Sequence, residues 1–452
     1  MTDSYDVIVI GAGPAGENAA DHAIRGSDRT AVLVEQELVG GECSYYACMP
    51  SKALLRPLEV AATANQLQGI GKPVELDPAG LLARRDAWVS NYQDAGQVDW
   101  ARGVGVDVAR GRGRVGGERE VEVVDSAGGV RRLTARQAVV IATGSTPTIP
   151  APYADIAPWS SRDATGVVEV PQRIAIVGGG VVACEAAYWL RALGAEVTML
   201  VRGERLLAQA EPFAGEAVLA GLQAAGVDVR LGADVDSVRR DRVDDEPALG
   251  RPHGGPVRLA LSGAELEVDE VLVATGRKPA TDGLGLEAYP DADWLFSVGD
   301  ASGEAPLTHW GKYRARQLGA RLAARAEGRP EPEQRTDAPV PQVVFTDPQV
   351  AWVGRTKAAA EADGIEVTTR DAAYTSAAGA ALLRDDADGH ARLVADAATG
   401  RLLGATFVGP EVAELLHSAT VAVVGGLTLT QLEDAVPSYP TASEVWLRLL
   451  DQ

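Results

Sequence analysis

The chain has 452 residues, 46% of them apolar and 23% charged, with 63 acidic against 42 basic side chains and a net charge of −21. That length holds several domains, and so acidic a surface is repelled by nucleic-acid phosphates and anionic lipid. No apolar run approaches the roughly 18 residues of a spanning helix, and MTDSYDVIVIGAG lacks a basic flank or cleavage pattern, so we expect a cytoplasmic protein acting on a small molecule, with no nucleic acid and no membrane.

From the N-terminus, DVIVIGAGPAGENAADHAIRG (6–26) and TAVLVE (30–35) predict an apolar strand, a glycine turn, an amphipathic helix and a second strand. This is the opening βαβ of a dinucleotide-binding fold. Gly11 permits the tight turn, Gly13 lets the backbone approach a pyrophosphate, and Gly16 lets helix and strand pack closely. The helix N-terminus offers free N–H groups to phosphates, and Glu35, ending the second strand, suits a ribose diol.

GGECSYYACMPSK (40–52) holds two of the chain's three cysteines. Cys43 and Cys48 lack the short spacing and companion pair of a zinc site, so no metal is expected. PSKALL (50–55) reads as helix, with the cysteines at its entry. In a regular helix residues five apart have Cα atoms about 8–9 Å apart, whereas a disulfide needs them within about 7 Å. A bridge closes only if the turn is distorted, and Pro50 is placed to disturb it. A cytosolic disulfide is more often redox-active than structural, a strained one is easily reduced, and a helix N-terminus stabilises the resulting thiolate.

AVVIATGSTP (138–147) and EVLVATGRKP (270–279) each read as a buried strand ending in Thr-Gly. Between them RIAIVGGGVVACEAAYWLRALG (173–194) and EVTMLVR (196–202) repeat the βαβ pattern, with Gly178, Gly180 and, in place of the third glycine, Ala183. This second strand ends in Val201-Arg202, with Arg205 close behind and no acid matching Glu35. A carboxylate there binds a 2′-hydroxyl and repels a 2′-phosphate; arginine does the reverse, so NADPH is expected over NADH. Cys184 reads as an inert core thiol. The Gly- and Pro-bearing loop 245–256 reads as peripheral, 328–341 as a linker, and VVFTDPQVAWVG opens a region of alternating strands and helical runs.

These residues carry a resemblance. GAGPAG, GGEC-x4-CMPSK, ATGS, GGGVVACE, ATGRKP, SVGD followed by PLTH, and FTDP occur in the order seen in the FAD-dependent pyridine nucleotide–disulfide oxidoreductases, which include glutathione reductase, dihydrolipoamide dehydrogenase and mercuric reductase. The resemblance implies an α/β protein with two Rossmann-like dinucleotide-binding domains, for FAD and NADPH, and a C-terminal α+β dimerisation domain. Its parts would be the FAD domain over 1–148, the NAD(P)H domain over 149–270, an FAD-binding central segment over 271–336 and the dimerisation domain over 337–452. It implies that Cys48 faces the flavin as the charge-transfer thiolate and that Cys43 is the interchange thiol. Lys52 and Glu185 match the ion pair beside the flavin N5. Asp300 matches a residue at the FAD ribityl and pyrophosphate region, and Thr308 one near the flavin ring. Ala15, Gly113, Gly144 and Ser145 match FAD contacts, and Gly276 and Arg277 match positions near the bound cofactors.

The departures bear on the acceptor. Disulfide reductases of this kind end in His-Pro-Thr-x-x-Glu, contributed by the partner of a homodimer; here SYPTASE places Tyr439 at the histidine and keeps Glu444. A phenol is ionised to about one part in a thousand at neutral pH, whereas imidazole is a ready base, so slow turnover of ordinary disulfides is expected. Mercuric reductases share the tyrosine but end in a cysteine pair, which LRLLDQ lacks. Tyr45 and Tyr46 lie between the cysteines and could narrow the substrate mouth. Glu42 replaces the usual threonine beside the first cysteine, and Val181 stands where an aromatic often shields the flavin. His309 follows Thr308 and could tune the flavin; the other histidines read as structural or surface residues. The expectation is an NADPH-dependent FAD reductase with a redox-active Cys43–Cys48 disulfide. Direct transfer from flavin to quinone, oxygen or mercuric ion is the enzymatic alternative, and a non-catalytic redox sensor stabilised by FAD is the alternative of another class.

Overall fold

The computed structural model describes residues 3–71 and 73–452, which divide into two compact units. The first comprises residues up to 50, 85–148 and 276–336. It opens with strand β1 (Ser4–Ile10), helix α1 (Pro14–Ile24) and strand β2 (Ala31–Glu35). β1 pairs in parallel with β2 on one side and with Val130–Ile141 on the other. The sheet runs Val106–Arg110, β2, β1, Val130–Ile141, Glu120–Val124, Arg112–Gly117, with Leu295–Ser297 added in parallel to Val130–Ile141. Val7, Ile8, Val9 and Ile10 are all buried, the unbroken apolar run of a parallel strand covered on both faces. One cover is α1 packed along the Thr308–Ala326 helix. Small residues allow that approach: a Cβ on Gly311 would lie 3.5 Å from the Ala15 Cβ, and one on Gly319 would lie 2.5 Å from the His22 Cβ.

The second unit comprises 51–84, 149–275 and 337–452. Its parallel sheet runs Asp228–Leu231, Glu196–Val201, Arg173–Val177, Glu270–Val273. The inserted sheet therefore continues past residue 270 to Val273, and residues from Gly276 onward group with the first unit. A three-stranded antiparallel sheet, Val235–Arg240, Val257–Leu261 and Ala264–Val268, follows in the same unit. The C-terminal region is a five-stranded antiparallel sheet, Gln342–Val344, Gln349–Gly354, Leu402–Gly409, His390–Asp396, Val367–Ala373. Phe407, Tyr374 and Leu449 are fully buried in its core, with Trp446 at its margin.

The 245–256 loop is less peripheral than the sequence suggests. His253 is buried, its Nδ1 lies 2.8 Å from the Ala157 carbonyl oxygen, and its Nε2 lies 3.4 Å from Asp163. Its backbone N–H donates to Glu270, whose carboxylate forms an ion pair with Arg240 fully out of water. Desolvation raises the Glu270 pKa, opposed by Arg240. A buried ion pair holds little net energy but is costly to break, so the loop is fastened by charge that sequence composition hides.

Candidate functional site

In the first unit the glycine turn is confirmed atom by atom. Gly11 has φ +102°, and a Cβ there would meet the Ala142 carbonyl oxygen at 2.3 Å. A Cβ on Gly16 would lie 2.1 Å from the Gly11 oxygen. Gly13 is the N-cap of α1, extended at ψ 178° and without a side-chain cap, so the first N–H groups of α1 remain available to an anion. Glu35 is held at the end of β2: its two oxygens accept from the N–H groups of Ala12 and Glu37, each at 2.8 Å. A Cβ on Gly41 would come 2.8 Å from the Gly13 Cα, so the cysteine segment closes on the turn. Ala15 lies beneath Gly299, whose added Cβ would be 2.8 Å away. The position a Cβ would take on Gly113 is filled by Val34 and Ile10, whereas that on Gly144 is open. An uncapped helix start, a fixed carboxylate one strand over and small residues around the turn fit the diphosphate and ribose of FAD.

The cysteine segment consists of helix α2 (Gly41–Tyr45) and helix α3 (Cys48–Asn65). The break between them is at Tyr46, with φ −130° and ψ −2°. The distortion expected at Pro50 thus occurs two residues before Cys48, while Pro50 sits in the first turn of α3, where a missing N–H costs nothing. The two cysteines lie within hydrogen-bonding reach of each other. Their mutual hydrogen bond, followed by burial, drives the Cys43 pKa well above the ordinary thiol range, against smaller opposing effects of Thr308 and Lys312. The Cys48 Sγ lies 3.3 Å from the Thr308 Oγ1. Cys48 opens α3 and Thr308 opens its own 19-residue helix, so two helix N-termini converge where negative charge on this sulfur is stabilised.

Four expected residues form one polar chain beside α2. Arg277 donates from Nε to the Ser145 Oγ and from Nη2 to the Ser145 carbonyl oxygen, both at 2.7 Å. The Ser145 hydroxyl donates to Asp300 at 2.5 Å. Arg277 also approaches Glu42 at 3.7 Å, which gives the glutamate in the threonine position a charged partner. Gly276, at φ +132°, precedes the arginine. His309 is exposed.

The two tyrosines between the cysteines diverge. Tyr45 is buried, with its hydroxyl unpartnered among the described residues, and burial pushes its pKa up to about 12. It cannot narrow a mouth. The Tyr46 ring instead stacks on Tyr92, centroids 5.6 Å apart at 29°. Tyr92 closes a turn in which Ser90, Asn91 and Tyr92 all have positive φ, an arrangement L-residues adopt at a cost of about 1 kcal/mol each. Tyr92 was not legible in the sequence, since nothing in SNY marks a left-handed turn.

In the second unit Gly178 has φ +131°, and a Cβ there would lie 2.4 Å from the Ala274 oxygen. Gly180 is the uncapped N-cap of the Val181–Ala192 helix, and the Ala183 methyl is fully buried. The two turns superpose in register: Gly11 N–H donates to the Val34 carbonyl, and Gly178 N–H to that of Leu200. Val201 therefore occupies the place of Glu35, and Arg202 and Arg205 stand exposed just beyond it. Lys52 Nζ meets Glu185 at 2.7 Å and lies 4.8 Å above the Phe345 ring. The other Glu185 oxygen accepts from the Phe345 N–H at 3.0 Å. Cys184 is buried, its pKa pushed up to about 12 by desolvation. Tyr439 is 78% exposed, whereas Glu444 is buried with one carboxylate oxygen unpartnered among the described residues.

Comparison with known proteins agrees with this geometry. The family described as pyridine nucleotide-disulphide oxidoreductase matches residues 5–293, and its dimerisation domain matches residues 340–449. The chain is 33% identical to a dihydrolipoyl dehydrogenase of Thermus scotoductus, over 98% of this chain and 95% of that protein. It is 32% identical to the corresponding enzyme of Haloferax volcanii, over 97% and 94%. Among solved structures, the Cu(II) complex of the HOCl-induced flavoprotein disulfide reductase RclA from Escherichia coli aligns with a TM-score of 0.83 at 22% identity, covering 100% of this chain and 99% of that one. LpdA from Mycobacterium tuberculosis aligns with a TM-score of 0.82 at 23% identity, over 98% and 99%.

Proposed function

The chain belongs to the pyridine nucleotide-disulphide oxidoreductases, FAD-dependent enzymes with a redox-active cysteine pair and a C-terminal dimerisation domain, and from that premise we propose an NADPH-dependent reductase that delivers electrons through Cys43 and Cys48. The observation that carries this reading is the cysteine pair itself: two hydrogen-bonded thiols, one against Thr308 where two helices begin. Bound FAD supplies the two-electron relay between a nicotinamide and this pair. Gly11, Gly13, Gly16 and Glu35 hold its diphosphate and ribose, with Asp300 and Ser145 fixed by Arg277. Lys52, paired with Glu185 and set over the Phe345 ring, matches the lysine that the resemblance implies beside the flavin N5. Gly178 and Gly180 cradle the NADPH diphosphate, and Arg202 and Arg205 attract its 2′-phosphate where Val201 offers no competing carboxylate.

Tyr439 stands where the resemblance to disulfide reductases implies a histidine, and Val201 offers no carboxylate to a ribose. The second reading, electrons passing to a quinone, oxygen or metal ion without the thiols, is favoured by Tyr439 alone: a phenol is a poor base at neutral pH. In that reading Cys43 is dispensable. Purified enzyme is assayed with NADPH or NADH against disulfides including lipoamide, quinones, and mercuric and cupric ions. NADPH is expected to outperform NADH by at least about tenfold, given the differential contacts of one charged group. Cys43→Ser is expected to lose turnover of the preferred acceptor; retention of full turnover transfers the function to the flavin alone.

A further inference from the structure

The dinucleotide selectivity proposed above depends on one loop, residues 202–211, between the Glu196–Val201 strand and the Pro212–Ala224 helix. Arg202 and Arg205 stand exposed in its first half, whereas Leu206, Leu207 and Ala210 in its second half are buried. Arg205 folds back on the loop: its Nη2 donates to the Ala208 carbonyl oxygen at 2.7 Å. That bond uses one of the guanidinium's five donors and leaves the rest for an anion. The backbone around Ala208 is itself clamped. The Leu207 N–H donates to the Gly179 carbonyl oxygen of the glycine turn, and the Ala210 N–H to that of Leu207, both at 2.8 Å. A Cβ on Gly215, one turn into the helix, would lie 2.3 Å from the Leu206 carbonyl oxygen. Leu207 has φ +48°, a left-handed conformation that leucine keeps only where its surroundings impose it. Ala208 therefore sits in a tight turn that ends one residue before Glu211.

Glu211 is the N-cap of the Pro212–Ala224 helix, a place where a side-chain oxygen usually accepts from the helix's own N–H groups, yet it makes no such cap. Its carboxylate is buried and turned to the C-terminal region instead. Oε1 accepts from the Lys357 N–H at 2.7 Å, and Oε2 from the Arg392 Nη1 at 3.1 Å. Arg392 is fixed in turn. Its Nε donates to Asp371 Oδ1 at 2.8 Å, the His390 Nε2 lies 2.7 Å from the same oxygen, and the guanidinium lies 5.3 Å from the Phe213 ring centroid. Loop, helix start and antiparallel sheet all belong to the second compact unit. We propose that Glu211, gripped by Arg392, is a positioning residue for dinucleotide selectivity: it holds the 206–210 turn where Arg205 meets a 2′-phosphate. This rests on the NADPH reading above and names what sets the arginine in place. Without the Arg392 guanidinium, a buried carboxylate is left underpaired and has to find water or another donor. The end of the loop then moves, and the Ala208 carbonyl and Arg205 move with it. Gly178, packed against the Ala274 carbonyl oxygen, keeps the turn that takes the diphosphate.

The test is calorimetric titration of the oxidised holoenzyme with NADP⁺ and, separately, with NAD⁺. The native protein is expected to bind NADP⁺ at least about tenfold more tightly, the contribution of one hydrogen bond to a charged group. Arg392→Met and Glu211→Ala are each expected to erase that preference by weakening NADP⁺ and leaving NAD⁺ unchanged, which also shows that the nucleotide site is folded. The double variant is expected to lose no more than either single one, since both break the same link. A merely structural role weakens both nucleotides together and leaves the ratio of their Kd values where it was. A ratio kept in either variant, whatever the absolute affinities, overturns the Glu211 assignment while the NADPH reading stands. A native protein without preference for NADP⁺ overturns the NADPH reading, and the assignment falls with it.

Discussion

In the proposed dithiol reading, the pace of thiol chemistry depends on a base for Cys43, and a phenol such as Tyr439 is a poor one at neutral pH. The burial of Cys43 and its hydrogen bond to Cys48 favour the thiol, so attack on an acceptor requires a base. Tyr439 is exposed, and Glu444 is buried with one carboxylate oxygen unpartnered among the described residues. Tyr439→His is expected to raise turnover of a small disulfide at pH 7 by about 10²-fold, the usual worth of a positioned base. The measurement is kcat/KM with NADPH saturating, and an unchanged value contradicts the assignment of slow disulfide turnover to this position. The sequence displayed this substitution openly, because the motif around it is fixed in spacing. It did not display Tyr92, whose ring stacks on Tyr46, because nothing local in SNY marks the left-handed turn that carries it.

At the scale of elements, the glycine turns were legible because their geometry leaves no alternative. A side chain at Gly11 or Gly178 collides with the carbonyl of the neighbouring strand's end, so the residue type reports the contact. The break between α2 and α3 was legible only as a requirement for distortion, and it falls at Tyr46 rather than Pro50. Charge pairs that join elements were not legible at all. Asp6 on β1 is one: Arg136 donates to both its oxygens, at 2.8 and 2.7 Å, and Thr30 donates from its backbone N–H. The Arg136 hydrogen bonds, with Thr30 and against desolvation, lower the Asp6 pKa to about 2. A lowered carboxylate pKa stabilises the fold above the unfolded value near 4, and that contribution vanishes as pH falls toward 2. Asp6→Asn is expected to cost about 1 kcal/mol at pH 7, since the guanidinium is partly exposed and screened. Denaturant midpoints of native and variant protein should converge between pH 4 and 2. A constant difference across that range contradicts the linkage.

For the whole molecule, the order of motifs along the chain predicted two nucleotide-binding βαβ units and a C-terminal α+β region, and the structure has all three. The sequence ended the inserted domain at residue 270. The strand to Val273 extends it, because a buried parallel strand ending in Thr-Gly looks alike whichever sheet it joins. The stretch 51–84 groups with the second unit although it continues the cysteine helix, an assignment that depends on long-range packing and has no local signature. No described helix is long and apolar enough to cross a membrane. The account as a whole rests on electrons moving from nicotinamide to the cysteine pair. Anaerobic titration of the oxidised holoenzyme with NADPH tests this most directly. The account predicts that the native protein takes up two electrons with a new long-wavelength absorbance, and that Cys48→Ser never develops this band. Simple bleaching of the flavin in the native protein, or the same band in Cys48→Ser, would contradict it.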